Sequence, residues 1–332
     1  MKISESISRR RFIEKAAVTA GLTALGSEAA FAKSSAPNLE KLPREVWIAT
    51  FSQAGLNAAT PEKMLQSVLS ILKGCIIYRP DIICLPEVFM TTHIEQPMTL
   101  EESTDISYEL LKEVMSFART NNCYLICPMY TRENGKIYNS AVVIDRQGKI
   151  MGEYRKLHLP ADESEIGLTP GVMPPPVFKT DFGTIGVQIC YDCNWHDGWQ
   201  ALRKQGAEIV FWPSAYSGGR VINTRAWENN CIVVSSTREI SKIIDITGDT
   251  VLQTGTWDRN IICAPVNLEK VLIGVWPYVR HFKAIKEKYG RKIRITNYQE
   301  ENWTVFESLS PDIRVADILK EFNIKSLEQE IS

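Results

Sequence analysis

Short, uninterrupted apolar runs that alternate with stretches of helical spacing constrain this chain more than any other feature. Asp81–Leu85, Thr184–Ile189, Glu208–Trp212, Cys231–Ser235 and Ile261–Val266 read as strands. Their apolar residues do not alternate with polar ones, so such strands are buried on both faces. Val46–Phe51, Tyr124–Cys127, Ala141–Ile144 and Ile150–Tyr154 add further strands, the last two joined by the turn Asp145-Arg146-Gln147-Gly148. Between them lie helices. Thr60-Pro61 supplies an N-cap and a proline at the first helical position, Met64, Leu65, Val68, Leu69 and Leu72 recur at helical spacing, and Gly74 is placed to end the segment. Ile106, Leu110, Leu111, Val114 and Phe117 mark a second helix, Asp197–Gln205 (closed by Gly206) a third, and Asn223–Asn230 a fourth. Strand–helix alternation of this kind predicts an α/β protein whose sheet is covered by helices.

The 332 residues suffice for one large α/β domain or two small ones with a sizeable core. A formal net charge of −1 without a Lys/Arg block gives no electrostatic basis for binding nucleic acid or an anionic membrane. The four histidines, His93, His158, His196 and His281, form no HxxxH or HExxH pair, so no metal or zinc cofactor is expected.

The first residues carry their own signal. Ser8-Arg9-Arg10-Arg11-Phe12-Ile13 is a twin-arginine pattern, Ala16 to Leu25 is weakly apolar, and Ala30-Phe31-Ala32 is an A-x-A cleavage site. The expected organisation is a twin-arginine signal peptide over 1–32, a linker over 33–44, a catalytic domain over 45–276 and a C-terminal arm over 277–332. The arm has a basic stretch, Lys283–Arg294, and an amphipathic one, Ile313–Phe322, and is expected to pack on the body or on a partner subunit. Cleavage near Ala32 implies a periplasmic or secreted protein. No window is long and apolar enough for stable membrane insertion. The eight cysteines sit mostly in apolar runs, as Cys84, Cys231 and Cys263 do, and read as small buried hydrophobes rather than bridges.

Three segments run from a strand into a reactive side chain, at the sheet edge where α/β proteins bind ligands. They are Ile82-Ile83-Cys84-Leu85-Pro86-Glu87, Gly152-Glu153-Tyr154-Arg155-Lys156, and Gly183-Thr184-Ile185-Gly186-Val187-Gln188-Ile189-Cys190-Tyr191-Asp192. A thiol is only partly ionised at neutral pH and needs a base or a nearby cation. A buried Glu87 would serve as the base. Lys156 would stabilise a tetrahedral oxyanion together with the backbone N–H of Tyr191. Thiol, carboxylate and ammonium together suffice for acyl transfer. A Cys190-x-x-Cys193 redox pair is the competing reading of the thiols.

Leu85-Pro86-Glu87, Tyr154-Arg155-Lys156-Leu157-His158 and Gly186-Val187-Gln188-Ile189-Cys190-Tyr191-Asp192 resemble, in order and spacing, the three catalytic motifs of the nitrilase superfamily of carbon–nitrogen hydrolases. The resemblance covers about Val46 to Asn267. It implies a four-layer α-β-β-α sandwich and a homodimer or higher homo-oligomer. It also implies Glu87 as general base, Lys156 as intermediate stabiliser and Cys190 as acylated nucleophile. Amidase-like members carry a second glutamate before a Pro-Gly. Here that is Glu163, with Glu165 as the alternative, ahead of Pro170-Gly171. His158 is expected to support the lysine loop and Asp192 to order the turn after the nucleophile.

The expected activity is hydrolysis of a small-molecule amide or N-carbamoyl compound, without a cofactor. A nitrilase producing acid and ammonia, and a non-catalytic binding protein that keeps the fold, are the alternatives. Members that grip N-carbamoyl amino acids often have arginine just after the nucleophile. Asp192, Cys193, Asn194 and Trp195 stand there instead, leaving Arg220 or Arg225 to reach in from another loop. Trp195, Trp212, Tyr216 and Arg220 are the candidate substrate contacts.

Overall fold

A computed structural model describes residues 41, 42 and 44–331. The twin-arginine segment, the Ala32 cleavage site and most of the linker lie outside the described residues.

The first half of the chain builds β1 (Glu45–Phe51), β2 (Ile82–Cys84), β3 (Tyr124–Glu133), β4 (Lys136–Ile144) and β5 (Ile150–Arg155). The second half builds β6 (Phe178–Lys179), β7 (Thr184–Val187), β8 (Ile209–Ser214), β9 (Ile232–Thr237), β10 (Lys242–Ile244) and β11 (Thr250–Gln253). Strand β12 (Ile261–Asn267) then crosses back to the first sheet. The result is two six-stranded sheets, ordered β12-β1-β2-β3-β4-β5 and β11-β10-β9-β8-β7-β6. Each has a parallel centre, β1-β2-β3 and β7-β8-β9.

Side chains alternate across these strands, and the alternation builds the layers. Val46 and Ile48 of β1, Ile82 and Cys84 of β2, Ile185 and Val187 of β7, Ile209 and Phe211 of β8, and Ile232 and Val234 of β9 share one core between the sheets. The intervening residues Ala49, Phe51 and Ile83 face away. They pack on two helices, α1 (Pro61–Leu72) and α2 (Leu100–Asn121). On the far side Val210, Trp212 and Val233 pack under α4 (Asp197–Lys204) and α5 (Gly219–Asn229), which follow the short α3 (Ala161–Glu165). Helices, sheet, sheet and helices make the four-layer sandwich expected from the motifs. Gly186 shows how tight the last contact is, because a Cβ there would lie 2.7 Å from a Leu202 methyl on α4.

Several local expectations need correction. Thr60 caps α1 by accepting the Lys63 N–H, but Gly74 does not end the segment. The chain continues as a 3-10 turn over Lys73–Tyr78 and stops where Arg79 turns left-handed. Strands β3 and β4 extend to a hairpin at Asn134-Gly135, with Glu133 opposite Lys136, well past the apolar runs. The small strands β6, β10 and β11 were not anticipated.

The C-terminal region is a folded layer in its own right. β13 (Lys270–Gly274), on the catalytic side of the boundary expected at 276, joins β14 (Ile293–Tyr298) and β15 (Trp303–Ser308) in the order β13-β15-β14. Phe282 and Ile285 of α6 (Val279–Tyr289) and Val315 and Ile318 of α7 (Val315–Glu321) fill a separate core with Ile293 and Phe306. The layer rests on the body: Asn267 donates to the Ser308 carbonyl at 2.8 Å, and the Tyr298 phenol to Asp249 at 3.1 Å. No described helix is long and apolar enough to cross a membrane.

Candidate active site

All three motif residues arrive at one edge of the sandwich. Glu87 lies three residues past β2, Lys156 directly follows β5, and Cys190 lies three residues past β7. Glu87 and Lys156 are buried, at 2% and 1% exposure, and Cys190 is half-buried. Two buried charges survive there only with partners. The Lys156 ammonium donates to Glu87 Oε1 at 3.0 Å and to Glu163 Oε1 at 2.6 Å. Burial alone would lower the lysine's proton affinity. Glu87, Cys190 and Glu163 together outweigh it and hold the ammonium above its ordinary range. Burial pushes the Glu163 carboxyl up, Lys156 pulls it down, and the nearby Glu87 pushes it up further. Between the two glutamates suggested by the sequence, the structure places Glu163 on Lys156; among the described residues Glu165 has no bond to it.

Sequence reasoning missed Asn139. This residue of β4 is buried, and its amide donates to Glu87 Oε1 at 2.8 Å and to Glu163 Oε1 at 3.3 Å. Its backbone carbonyl accepts the Lys156 N–H at 2.8 Å. The available signal was an amide standing inside the apolar strand Ile137–Ile144.

Cys190 sits at φ +45° and Val88, beside Glu87, at φ +40°. A non-glycine residue in this region costs about 1–3 kcal/mol and persists only where its surroundings fix it. Around Cys190 the fixing groups are specific. The Trp212 indole donates to the Cys190 carbonyl at 3.0 Å, and Asp192 Oδ2 accepts the Ile189 N–H at 2.9 Å. Asp192 is fully buried and also accepts the Tyr154 phenol at 2.7 Å and the His158 N–H at 2.8 Å. It therefore ties the Cys190 turn to the lysine segment. His158 stacks flat on Trp195, with centroids 4.3 Å apart, and its Nδ1 lies 3.0 Å from Asp192. It supports the loop.

Burial pushes the Cys190 thiol up to about 12, and the negative Glu87 adds to this. Lys156, the Ser214 hydroxyl and the Ala215 backbone offset part of it. The balance favours the protonated thiol over the thiolate.

The expected substrate contacts divide. Trp195 is half-buried beside His158, and Tyr191, which directly follows Cys190, is exposed. Trp212 is fully buried in the helix-side core, with its indole on the Cys190 carbonyl. The Tyr216 hydroxyl lies 2.9 Å from Cys193 Sγ. Arg220 is exposed on the first turn of α5 and makes no bond to Glu87, Lys156 or Cys190 among the described residues. Arg225 is occupied, donating to the Cys193 carbonyl at 2.9 Å and to Glu228 at 2.6 Å. All eight cysteines are free thiols, Cys190 and Cys193 included. Among the described residues no three His, Cys, Asp or Glu side chains gather as a metal-binding group.

Comparison with known proteins agrees with this fold. A profile of the family described as Carbon-nitrogen hydrolase matches residues 48–272. The deaminated glutathione amidase of Mus musculus is 30% identical over 46% of this chain and 54% of its own length. The N-carbamoylputrescine amidase of Solanum tuberosum is 24% identical over 65% of this chain and 82% of its own. The chain spans about a third of the length of two other curated relatives it matches. Among solved structures, a mutant of the amidase from Nesterenkonia sp. AN1 superposes with a TM-score of 0.59 at 17% identity, covering 73% of this chain and 96% of that one. That likeness shows the fold. With the profile spanning most of the chain and both sheets in place, the protein belongs to the carbon–nitrogen hydrolases of the nitrilase superfamily.

Proposed function

We propose that the chain hydrolyses the C–N bond of a linear amide or N-carbamoyl compound through an acyl-enzyme on Cys190. The observation that carries this reading is the buried Lys156 ammonium shared by Glu87 and Glu163 next to a thiol held protonated. Glu87 takes the thiol proton as sulfur attacks the carbonyl carbon. Lys156 and the Tyr191 N–H receive the developing oxyanion. The proton passes from Glu87 to the departing nitrogen, and ammonia or an amine leaves. Glu87 then activates water, which cleaves the thioester and releases the acid. Glu163 fixes the lysine so that its charge faces the reacting carbonyl.

The chemistry of similar proteins supports the substrate class. The Nesterenkonia mutant carries the acetamide moiety of fluoroacetamide at its active-site cysteine, and the potato and mouse relatives are named as amidases. The test is product analysis on simple amides, N-carbamoyl amines and the matching nitriles with wild type and Cys190→Ser. Acid and ammonia from the amides or carbamoyl compounds, absent with the variant, support the reading. Turnover confined to nitriles would replace it with nitrile hydrolysis.

Export belongs to the same proposal. The twin-arginine pattern and Ala30-Phe31-Ala32 are read as a signal cleaved near Ala32, placing the mature enzyme in the periplasm or outside the cell as a homodimer or larger homo-oligomer. Edman sequencing of protein from the periplasmic fraction, beside its mass in solution, tests both. An intact N-terminus in the cytosol would reject export, and a monomer would reject assembly.

A further inference from the structure

One cation at the catalytic edge has no work in the chemistry above. Arg238 directly follows β9. Strands β7, β8 and β9 lie side by side and parallel, with Val187 opposite Phe211 and Ser214 opposite Thr237. Cys190 and Arg238 therefore leave the same edge of one sheet, two strands apart, with backbones roughly 10 Å from each other at ordinary strand spacing.

The backbone around Arg238 is fastened on both sides. The Thr237 carbonyl accepts the Gln53 N–H at 2.9 Å, the Thr237 N–H donates to the Ser241 hydroxyl at 2.8 Å, and the Glu239 carbonyl accepts the Ser52 hydroxyl. The side chain, in contrast, is unspent. Its Nε is buried without a hydrogen-bond partner, and no ion pair to the guanidinium forms among the described residues. Nearby acids are engaged elsewhere: Glu87 and Glu163 hold Lys156 and Asn139, and Glu239 accepts the Ser217 hydroxyl at 3.2 Å. An arginine fixed by its backbone and unpaired at its head is arranged to receive a planar anion.

The space for one is present. Arg238 lines a cleft of about 600 Å³ together with Gly55, Glu239, Thr254 and Arg259. The Arg259 guanidinium lies against Gly55, where a Cβ would overlap it, and adds a second cation at the exposed rim. The half-buried Tyr130 phenol of β3 lies in the field of Arg238 and of Glu87, Glu163 and Lys156 alike. Burial, then Glu163 and Glu87, push that phenol up to about 12, while Arg238 and Lys156 pull it down.

From this geometry we infer that Arg238 is a substrate-binding residue that pairs with a carboxylate on the far end of the substrate, so that the preferred substrates are amides or carbamoyl compounds of short carboxylic acids. The inference rests on the proposed amide hydrolysis, since it assigns the other end of the same substrate.

Binding to the Cys190→Ala protein separates the two ideas, because it needs no turnover. Calorimetry with succinamate and with butyramide, a neutral amide of similar length, is expected to show at least tenfold tighter binding of succinamate. In Cys190→Ala/Arg238→Met that ratio is expected to fall to near one. In Cys190→Ala/Arg238→Lys, which keeps the charge but not the planar fork, it is expected to lie between, and this variant decides the matter if the methionine protein does not fold. Equal binding of the two amides by the Cys190→Ala protein, or a ratio that persists in both arginine variants, would overturn the assignment. Failure of the proposed hydrolysis shows separately, as wild-type protein that releases no product from either amide.

Discussion

The Tyr154 phenol donates to Asp192 at 2.7 Å inside the sheet-to-sheet core, joining the strand that delivers Lys156 to the turn that delivers Cys190. Tyr154 is fully buried, and burial together with Asp192 keeps its phenol protonated well above the ordinary range, so it remains a donor. The Lys156 and Cys190 segments, more than thirty residues apart in sequence, are thereby tied together. Tyr154→Phe removes this donor and leaves a buried carboxylate oxygen with fewer partners. Urea unfolding is expected to show a loss of about 1–3 kcal/mol. A variant as stable as wild type would show that the bond is not a structural tie.

Glu87→Gln separates a base from a mere ion-pair partner. The negative Glu87 raises the Cys190 thiol, so its removal lowers the thiol's proton affinity and exposes it more fully to the Lys156 charge. Iodoacetamide should then alkylate Cys190 faster at neutral pH in Glu87→Gln, while amide turnover falls by at least two orders of magnitude, within the range for loss of a general base. Faster alkylation with turnover retained would remove Glu87 from the mechanism.

Asn139 positions Glu87 and Glu163 without touching the reacting atoms. Asn139→Ala withdraws a hydrogen bond from buried Glu87, a loss of about 1.5–3 kcal/mol for a charged partner. If that loss falls on the transition state, kcat drops about ten- to a hundredfold. Unchanged kcat with lowered stability would make Asn139 purely structural.

His158 gives a pH dependence of stability with a defined sign. Its Asp192 hydrogen bond raises its folded pKa above the ordinary 6.5, against a smaller lowering by burial, with Asp197 helping. Its contribution is fully present below about pH 6.5 and is lost as pH rises through the folded value. The stability difference between wild type and His158→Gln should be largest at acid pH and shrink toward alkaline pH. A difference independent of pH would contradict the assignment.

How much of this was legible in the sequence depends on how locally each feature is encoded. The inter-sheet strands could be read because burial on both faces leaves nearly continuous apolar runs, as in Ile82-Ile83-Cys84. The ends of β3 and β4 could not, because Arg132 and Glu133 are exposed and paired only through the turn that follows. Gly74 misled because a glycine also fits a 3-10 turn, and Arg79 supplied the left-handed stop. The C-terminal sheet was missed because β13 and β15 pair across the charged stretch 275–302. Within the site, Glu87, Lys156 and Cys190 stood out at strand ends. Asn139 and Arg238 did not, since their meaning comes from the neighbouring strand. The sequence left the place of Trp212 open, because an aromatic near a motif looks alike whether it faces substrate or packs behind Cys190.

The most direct test of the account is the intact mass of the wild-type protein and of Cys190→Ala, quenched in acid within seconds of mixing with butyramide or succinamate. The account predicts a wild-type adduct equal to the acyl group of the amide supplied, mapped to Cys190 by peptide fragmentation, absent from the variant and accompanied by release of ammonia. Ammonia release by the Cys190→Ala protein at the wild-type rate, or an acyl adduct mapped to another residue, would contradict it.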